Sequence, residues 1–330
     1  MTQNSILMAR SAVLDGFADT ARRLGLNAEQ LLREARISPH SLRDSDLQVP
    51  TARIVNLLEA ASLAAGNPSF GLLMAQARGF SVLGPVALVM REQPDLRGAL
   101  NSLVRLGWAQ ADGLESELED DGETTILTMR LAAELPRPAT QAIELTIAAI
   151  VRLLRHFLGP VWSPQMLTFS HRRPADTGPY AGLLGVTPVF RMERNSIVML
   201  SADLANPIAG ADPAFGRQLE RLVGGASQAR GGLRREQVGM AIRQMLPTGT
   251  CSATTVAELF GVDRRTLHRW LQDEATSYAR LLDENRQILC AQYRREDSRS
   301  LTEIAALLGF SSLSAYSRWR RGRANASAAG

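Results

Sequence analysis

The sequence predicts an α+β domain followed by an all-α domain. Three observations carry this. Apolar residues recur at helical spacing over most of the first two-thirds, but between Gly113 and Leu200 the period switches locally to strand-like alternation. Residues 233–330 keep helical spacing, and a nine-residue pattern returns there at an offset of 48. Between the two parts stands Gly224-Gly225-Ala226-Ser227-Gln228-Ala229-Arg230-Gly231-Gly232, whose glycines favour an irregular connection. The expected division is therefore 1–223, a linker over 224–232, and 233–330.

Residues Ser11 to Phe80 read as a helical block. Asn27 can cap a helix starting at Ala28, and Pro50-Thr51 opens another with Ile54, Val55, Leu57, Leu58, Ala61 and Leu63 on its stripe. Asn67-Pro68-Ser69 is a turn before a short helix over Phe70 to Ala77. Leu83 to Met90 and Asp95 to Trp108 are two more helices, separated by Gln93-Pro94. Gly113–Glu119 and Thr124–Leu131 then alternate around Asp120-Asp121-Gly122, a hairpin signal. A helix is expected over Thr140–Leu158, a strand over Gln165–Ser170 and a short helix over Pro179–Leu184. Pro188–Met192 and Ser196–Leu200 suggest a second hairpin, and Asp212–Val223 a closing helix.

In the last third, Val256, Ala257, Leu259 and Phe260 lie on one helical face, and Gly261 supplies a residue that takes a positive φ to end the helix. Asp263 caps a second helix whose Leu267, Trp270 and Leu271 point back at the first. Its other face carries Arg264, Arg265, His268 and Arg269. This is a helix-turn-helix pattern, whose second helix enters the DNA major groove. Thr302 to Phe310 repeats Thr254 to Val262, so Ala257 maps to Ala305 and Gly261 to Gly309. Ser311 or Ser312 then caps a second candidate recognition helix through Trp319. Ser277 to Arg295, with no Pro or Gly, joins the copies as one helix with Tyr278, Leu281, Leu282, Ile288, Leu289 and Tyr293 on its apolar stripe.

Two such motifs joined by a long helix resemble the DNA-binding domain of AraC-type (arabinose regulator) transcription factors, over Gly232 to Trp319. The most specific run is Leu301-Thr302-Glu303-Ile304-Ala305-Ala306-Leu307-Leu308-Gly309-Phe310-Ser311. The front part is similar to the amino-terminal effector domain of the subgroup called arabinose-binding-like. That likeness rests on Asn67-Pro68-Ser69-Phe70-Gly71-Leu72, Leu83-Gly84-Pro85, Arg173-Pro174-Ala175-Asp176 and Phe190-Arg191-Met192-Glu193-Arg194-Asn195. The resemblance implies that Arg265, His268 and Arg269 face bases in the first motif, and Leu313, Ser314 and Arg318 in the second. With Arg264 and Ser312 beside them, the candidate DNA-binding set is Arg264, Arg265, His268, Arg269, Ser312, Ser314 and Arg318. It further implies double-stranded DNA and a small-molecule effector as partners, a homodimer, and RNA polymerase if the protein is an activator. The competing expectation is a protein-interaction adaptor whose helix-turn-helix pair no longer binds DNA well.

Charge agrees with the DNA reading. From Arg230 onward there are 16 Arg against 10 acids, whereas the preceding part is slightly acidic, 21 Arg against 23 acids. All 37 basic residues are Arg, throughout the chain, which argues against a special purpose. Two cysteines make neither a disulfide framework nor a metal cluster and fit a reducing cytoplasm. Met1 to Gly16 lacks a basic region followed by an apolar core, and Ile143–Leu158 is too short and charged to cross a bilayer. No phosphate-binding loop, catalytic triad motif or dinucleotide fingerprint occurs, so neither enzyme activity nor a cofactor is expected. The acidic run Glu115 to Glu123 reads as a solvated hairpin tip. Met74, Met90, Met129, Met166, Met192 and Met199 read as core filling, or as the wall of a plastic effector pocket. Arg105, Trp108 and His156 are candidate polar lining of such a pocket.

The sequence departs from the resembled pattern at its end. Arg320 stands where a core Phe is expected, and no apolar residue larger than Ala follows. A solvent-facing Arg320 and a short, frayed last helix are therefore expected, with Trp319 replacing part of the packing. On that reasoning Arg320→Phe would raise the melting temperature and tighten operator binding.

Overall fold

The structure, a computed structural model, describes residues 6–76, 78–230, 234–260, 262–295 and 299–327. It divides into two compact units, residues 6–227 and residues from 228 onward. In the first unit a two-stranded ribbon pairs β1 (Met8–Arg10) with β2 (Gln48–Pro50). Between these strands lie α1 (Phe17–Arg23) and α2 (Ala28–Glu34), the latter capped by Asn27, whose side chain accepts from the Gln30 amide at 3.1 Å. Helices α3 (Thr51–Ala65), α4 (Phe70–Gln76), α5 (Pro85–Arg91) and α6 (Leu96–Leu106) follow. Asp95 caps α6 through the Gly98 amide at 2.8 Å.

Next come β3 (Leu114–Asp120), β4 (Thr124–Leu131), α7 (Thr140–Leu158), β5 (Met166–Phe169), α8 (Gly178–Leu184), β6 (Val189–Phe190), β7 (Asn195–Leu200) and α9 (Pro213–Arg230). The five strands form one sheet in the order β3-β4-β7-β5-β6. Helix α7 packs against both α4 and the sheet, burying Ile143, Leu145, Ile147, Ala148, Val151 and Leu154. Each such Leu or Ile contributes about 1.5–3 kcal/mol of burial energy. The α4–α7 crossing is close enough to require glycine: a Cβ on Gly71 would lie 2.2 Å from the Gln141 carbonyl oxygen. The Gln141 side chain completes the crossing by accepting from the Gly71 amide at 2.8 Å.

Several expectations are corrected. The N-terminal block is not wholly helical, because β1 and β2 pair across the 37 residues that separate them, 11–47. Leu63 is 85% exposed, past the end of the buried stripe of α3. The second hairpin is absent: β6 pairs in parallel with β5, and β7 pairs antiparallel with β4 and β5. The Thr168 hydroxyl donates to the Arg194 carbonyl at 2.8 Å, so β5 lies where a hairpin partner would. Helix α9 continues to Arg230, so 224–230 are helical rather than an irregular linker, and 231–232 lie outside the described residues, as does Ala77. Two glycines cost a helix about 2 kcal/mol together, which the good helix formers around them offset in part.

The acidic hairpin tip is solvated, with Glu115 and Glu119 paired to Arg130 and Arg194. Met74, Met90, Met129 and Met199 are core residues, while Met166 and Met192 are 42% and 43% exposed. No helix among the described residues is long and apolar enough to cross a membrane.

Candidate nucleic-acid interface and cavity

The second unit contains α10 (Arg234–Met245), α11 (Ala253–Leu259), α12 (Arg264–Asp273), α13 (Tyr278–Arg295), α14 (Leu301–Leu307) and α15 (Leu313–Ser327). Helices α11 and α14 begin and end at the same offset of 48, and so do their caps. Ser252 accepts from the Thr255 amide at 3.0 Å and Ser300 from the Glu303 amide at 3.2 Å, each side chain at the third position reaching back to its cap. Such boxes satisfy two otherwise orphaned amides and fix where the helix starts. Each helix ends on the same bond: Val262 N donates to Ala257 O, and Phe310 N to Ala305 O, both at 3.0 Å. Gly309 has the expected positive φ of 68°, and Gly261 lies outside the described residues. Ala257 and Ala305 are almost fully buried beneath the helices that follow.

In the first motif Asp263 caps α12 by accepting from the Thr266 amide at 2.6 Å. Leu267 and Leu271 are fully buried, and Trp270 sits edge-on to Phe260 with its other surface under the Arg234 guanidinium. Arg264, Arg265 and Arg269 are exposed on the opposite face, while His268 is half-buried. In the second motif Ser312 accepts from the Ala315 amide at 3.2 Å, and Ser312, Ser314 and Arg318 are exposed. Leu313 is 40% exposed. Among the described residues none of Arg264, Arg265, Arg269, Arg318 or Arg320 makes an ion pair within 4.0 Å, so their charge is not spent internally.

Other arginines of this unit serve the fold instead, and the sequence reading did not separate them. Arg286 on α13 donates to the Leu308 and Gly309 carbonyls at 2.9 and 3.2 Å and lies 4.2 Å from the Phe310 ring centre, closing the end of α14. Arg243 donates to Asn285, whose amide also donates to the Leu281 carbonyl at 2.7 Å. Glu274 accepts from the Arg234 and Arg235 amides at 2.7 Å each, a carboxylate on the positive end of α10. Apart from the Asn285–Leu281 bond within α13, these hydrogen bonds link residues 22 to 42 positions apart, and no local pattern signals them. Ile288 was expected on the buried stripe of α13 but is 52% exposed.

The end of the chain agrees with one expectation and corrects another. Arg320 is exposed. Trp319 packs half-buried on the core, 5.4 Å from Phe310 and 6.0 Å from Tyr316 between ring centres, and its Nε1 donates to Asp283 at 2.5 Å. The last helix is not short: α15 runs to Ser327, through a stretch rich in Arg and Ala that favours helix.

The first unit holds a cavity of about 320 Å³ walled mainly by α3 and α7. Its lining is aliphatic, with Ile54, Leu58, Leu145 and Ile150 among the walls, and includes none of the six methionines. His156 lines it, stacked on Phe80 at 5.1 Å. Arg105 is instead paired with Glu220, and Trp108 packs on the core outside the lining. Arg78 and Arg152 also line the cavity, and no Asp or Glu does. Arg78 donates through Nη2 to the Ala12 carbonyl at 3.0 Å, whereas its Nε is buried without a partner among the described residues. Burial pulls the Arg78 pKa down to about 10, with Asp15 opposing. It still carries its charge at neutral pH.

A second buried group lies behind α7. Tyr180 donates to Glu144, and His171 Nε2 stands 3.2 Å from the same carboxylate. Burial disfavours the charged imidazole, but Glu144, the Arg172 carbonyl and Glu59 together raise its pKa.

Residues 25–208 match the family described as the arabinose-binding domain of AraC transcription regulators. The chain belongs to this family. AraC-type relatives include the transcriptional regulator VirS of Mycobacterium tuberculosis H37Rv, 29% identical over 315 residues, covering 94% of this chain and 92% of the relative. The ornithine utilization regulator of Pseudomonas aeruginosa is 26% identical over 319 residues, covering 93% and 91%. The crystal structure of the transcriptional regulator CdpR from Pseudomonas aeruginosa overlays with a TM-score of 0.44 at 20% identity, covering 91% of this chain and 93% of that one.

Proposed function

We propose that this AraC-type chain is a sequence-specific DNA-binding transcription regulator whose front unit senses a small molecule. The observation that carries the reading is the repeated helix pair: two capped motifs at one offset, each presenting exposed, uncommitted arginine on its second helix. Arginine without an internal partner suits phosphate neutralisation and bidentate contact to guanine. Of the expected set, Arg264, Arg265, Arg269, Ser312, Ser314 and Arg318 face solvent and can reach DNA, and half-buried His268 sits beside them. The names of the relatives agree with a regulator. Helix α12 presents three arginines and α15 one in its first two turns, so the first motif carries most of the sequence choice. The effector changes the domain arrangement or a homodimer, and an activator form would contact RNA polymerase.

The test is a gel-shift titration over the upstream region of its own gene at several salt concentrations. Steep salt dependence together with preference over random DNA supports the regulator. Weak binding without sequence preference would favour an adaptor instead.

A further inference from the structure

We infer that the cavity of the first unit binds an amphipathic carboxylate, its anionic end on Arg78 and its apolar body between α3 and α7. This rests on the reading of the front unit as a sensor and names the class of molecule sensed. Four observations converge on it. The walls are aliphatic, so the body of the ligand must be apolar. The titratable lining consists of Arg78, Arg152 and His156 with no carboxylate among them, so the charged end must be negative. The other polar lining groups are already committed: Thr51 donates to Asp112 O, Thr146 to Ala142 O, and Gln110 to Val82 O. Arg78 is one of the lining residues, and its Nε is buried with no partner among the described residues. A guanidinium edge offers parallel N–H groups that match the two oxygens of a carboxylate, which a hydroxyl or amide matches less well.

The same features disfavour a sugar. A pentose brings several hydroxyls, and aliphatic walls would leave most of them buried without partners. The name of the matching family therefore does not describe the ligand this cavity fits. Arg152 donates to the Arg78 carbonyl at 3.2 Å and is exposed, and His156 is exposed against Phe80. Both put polar groups on the exposed part of the lining.

The experiment is isothermal titration of the full chain, without DNA, using octanoate, 3-phenylpropionate, their alcohols octanol and 3-phenylpropanol, and L-arabinose. At least one acid is expected to bind at least about tenfold more tightly than its alcohol, a gap of one charge-assisted pair. Arg78→Met is expected to remove that gap by weakening the acid while leaving the alcohol unchanged. Arg78→Lys keeps the charge but not the two-pronged donor, and should narrow the gap if the Met variant does not fold. The inference is overturned if no acid outbinds its alcohol, if arabinose binds more tightly than the acids, or if neither variant changes acid binding. Because DNA is absent from the titration, acid binding with no effect on the gel shift would count against the sensor reading and leave the site standing.

Discussion

Trp319→Ala tests how the second motif holds together. The indole lies 5.4 Å from Phe310 and 6.0 Å from Tyr316, and it donates to Asp283 at 2.5 Å. Truncating a fully buried Trp costs about 3–5 kcal/mol. Trp319 is half-buried, so roughly 2 kcal/mol of that applies, with about 1 kcal/mol more for the bond to a carboxylate that water partly replaces. A loss of about 3 kcal/mol lowers the melting temperature of a unit this size by roughly 10–20 °C. Calorimetry on the full chain reads it, with Leu271→Ala, which truncates a fully buried Leu in the same unit, marking the transition. Arg320→Phe, expected from sequence to stabilise, should change stability by less than about 0.5 kcal/mol because position 320 is exposed and Trp319 already packs on Phe310 and Tyr316. A shift under about 3 °C for Trp319→Ala beside a large one for Leu271→Ala would refute the replacement of the missing Phe. So would clear stabilisation by Arg320→Phe.

Arg269→Ala should cost about 1–3 kcal/mol on the specific site and less on random DNA; equal losses would mean that Arg269 touches phosphate only. Folding stability should fall as pH rises past His171's unfolded pKa of 6.5, because the native state holds this proton more tightly than the unfolded one. Burial also raises Glu59, which acts in the same direction from 4.5 upward. Urea titrations across pH 6–8 on Glu144→Gln should show a flatter decline, and an unchanged slope would remove Glu144 as the cause. Limited trypsin digestion should cut first at Arg230, Arg234 or Arg235, at the start of the second unit just past the boundary after Ser227; first cleavage inside Tyr278–Arg295 would contradict a rigid α13.

The elements that sequence located well carry their signals locally. Helix α7 was found end to end because its apolar residues repeat without interruption over 19 positions. Asn27 and Asp263 were legible as caps because capping is decided within three residues. Where pairing is distant, local reading failed. The strands β1 and β2 are three residues each, too short to show a period, and exist by pairing with one another. The segment after Glu193-Arg194-Asn195 looked like the second arm of a hairpin, yet β5 intervenes. Of the cavity only His156 was legible, since its lining runs from Ala9 to His156 and Arg78 sits in no motif. The candidate DNA face was legible as a pattern of exposed arginine. Which arginines stay free was not, because Arg243 and Arg286 are claimed by partners far along the chain.

The most direct test of the central claim, that the repeated motifs read one DNA site together, is a hydroxyl-radical footprint of the full chain on its own upstream region. Helix α13 spans about 27 Å, which suits successive major-groove faces on one side of a duplex. Two protected patches about one helical turn, or 10 base pairs, apart are expected. Arg269→Ala should weaken one patch and Arg318→Ala the other, with the greater loss of overall affinity from Arg269→Ala. A single patch indifferent to both substitutions, or no protection at concentrations that saturate binding, would contradict the account.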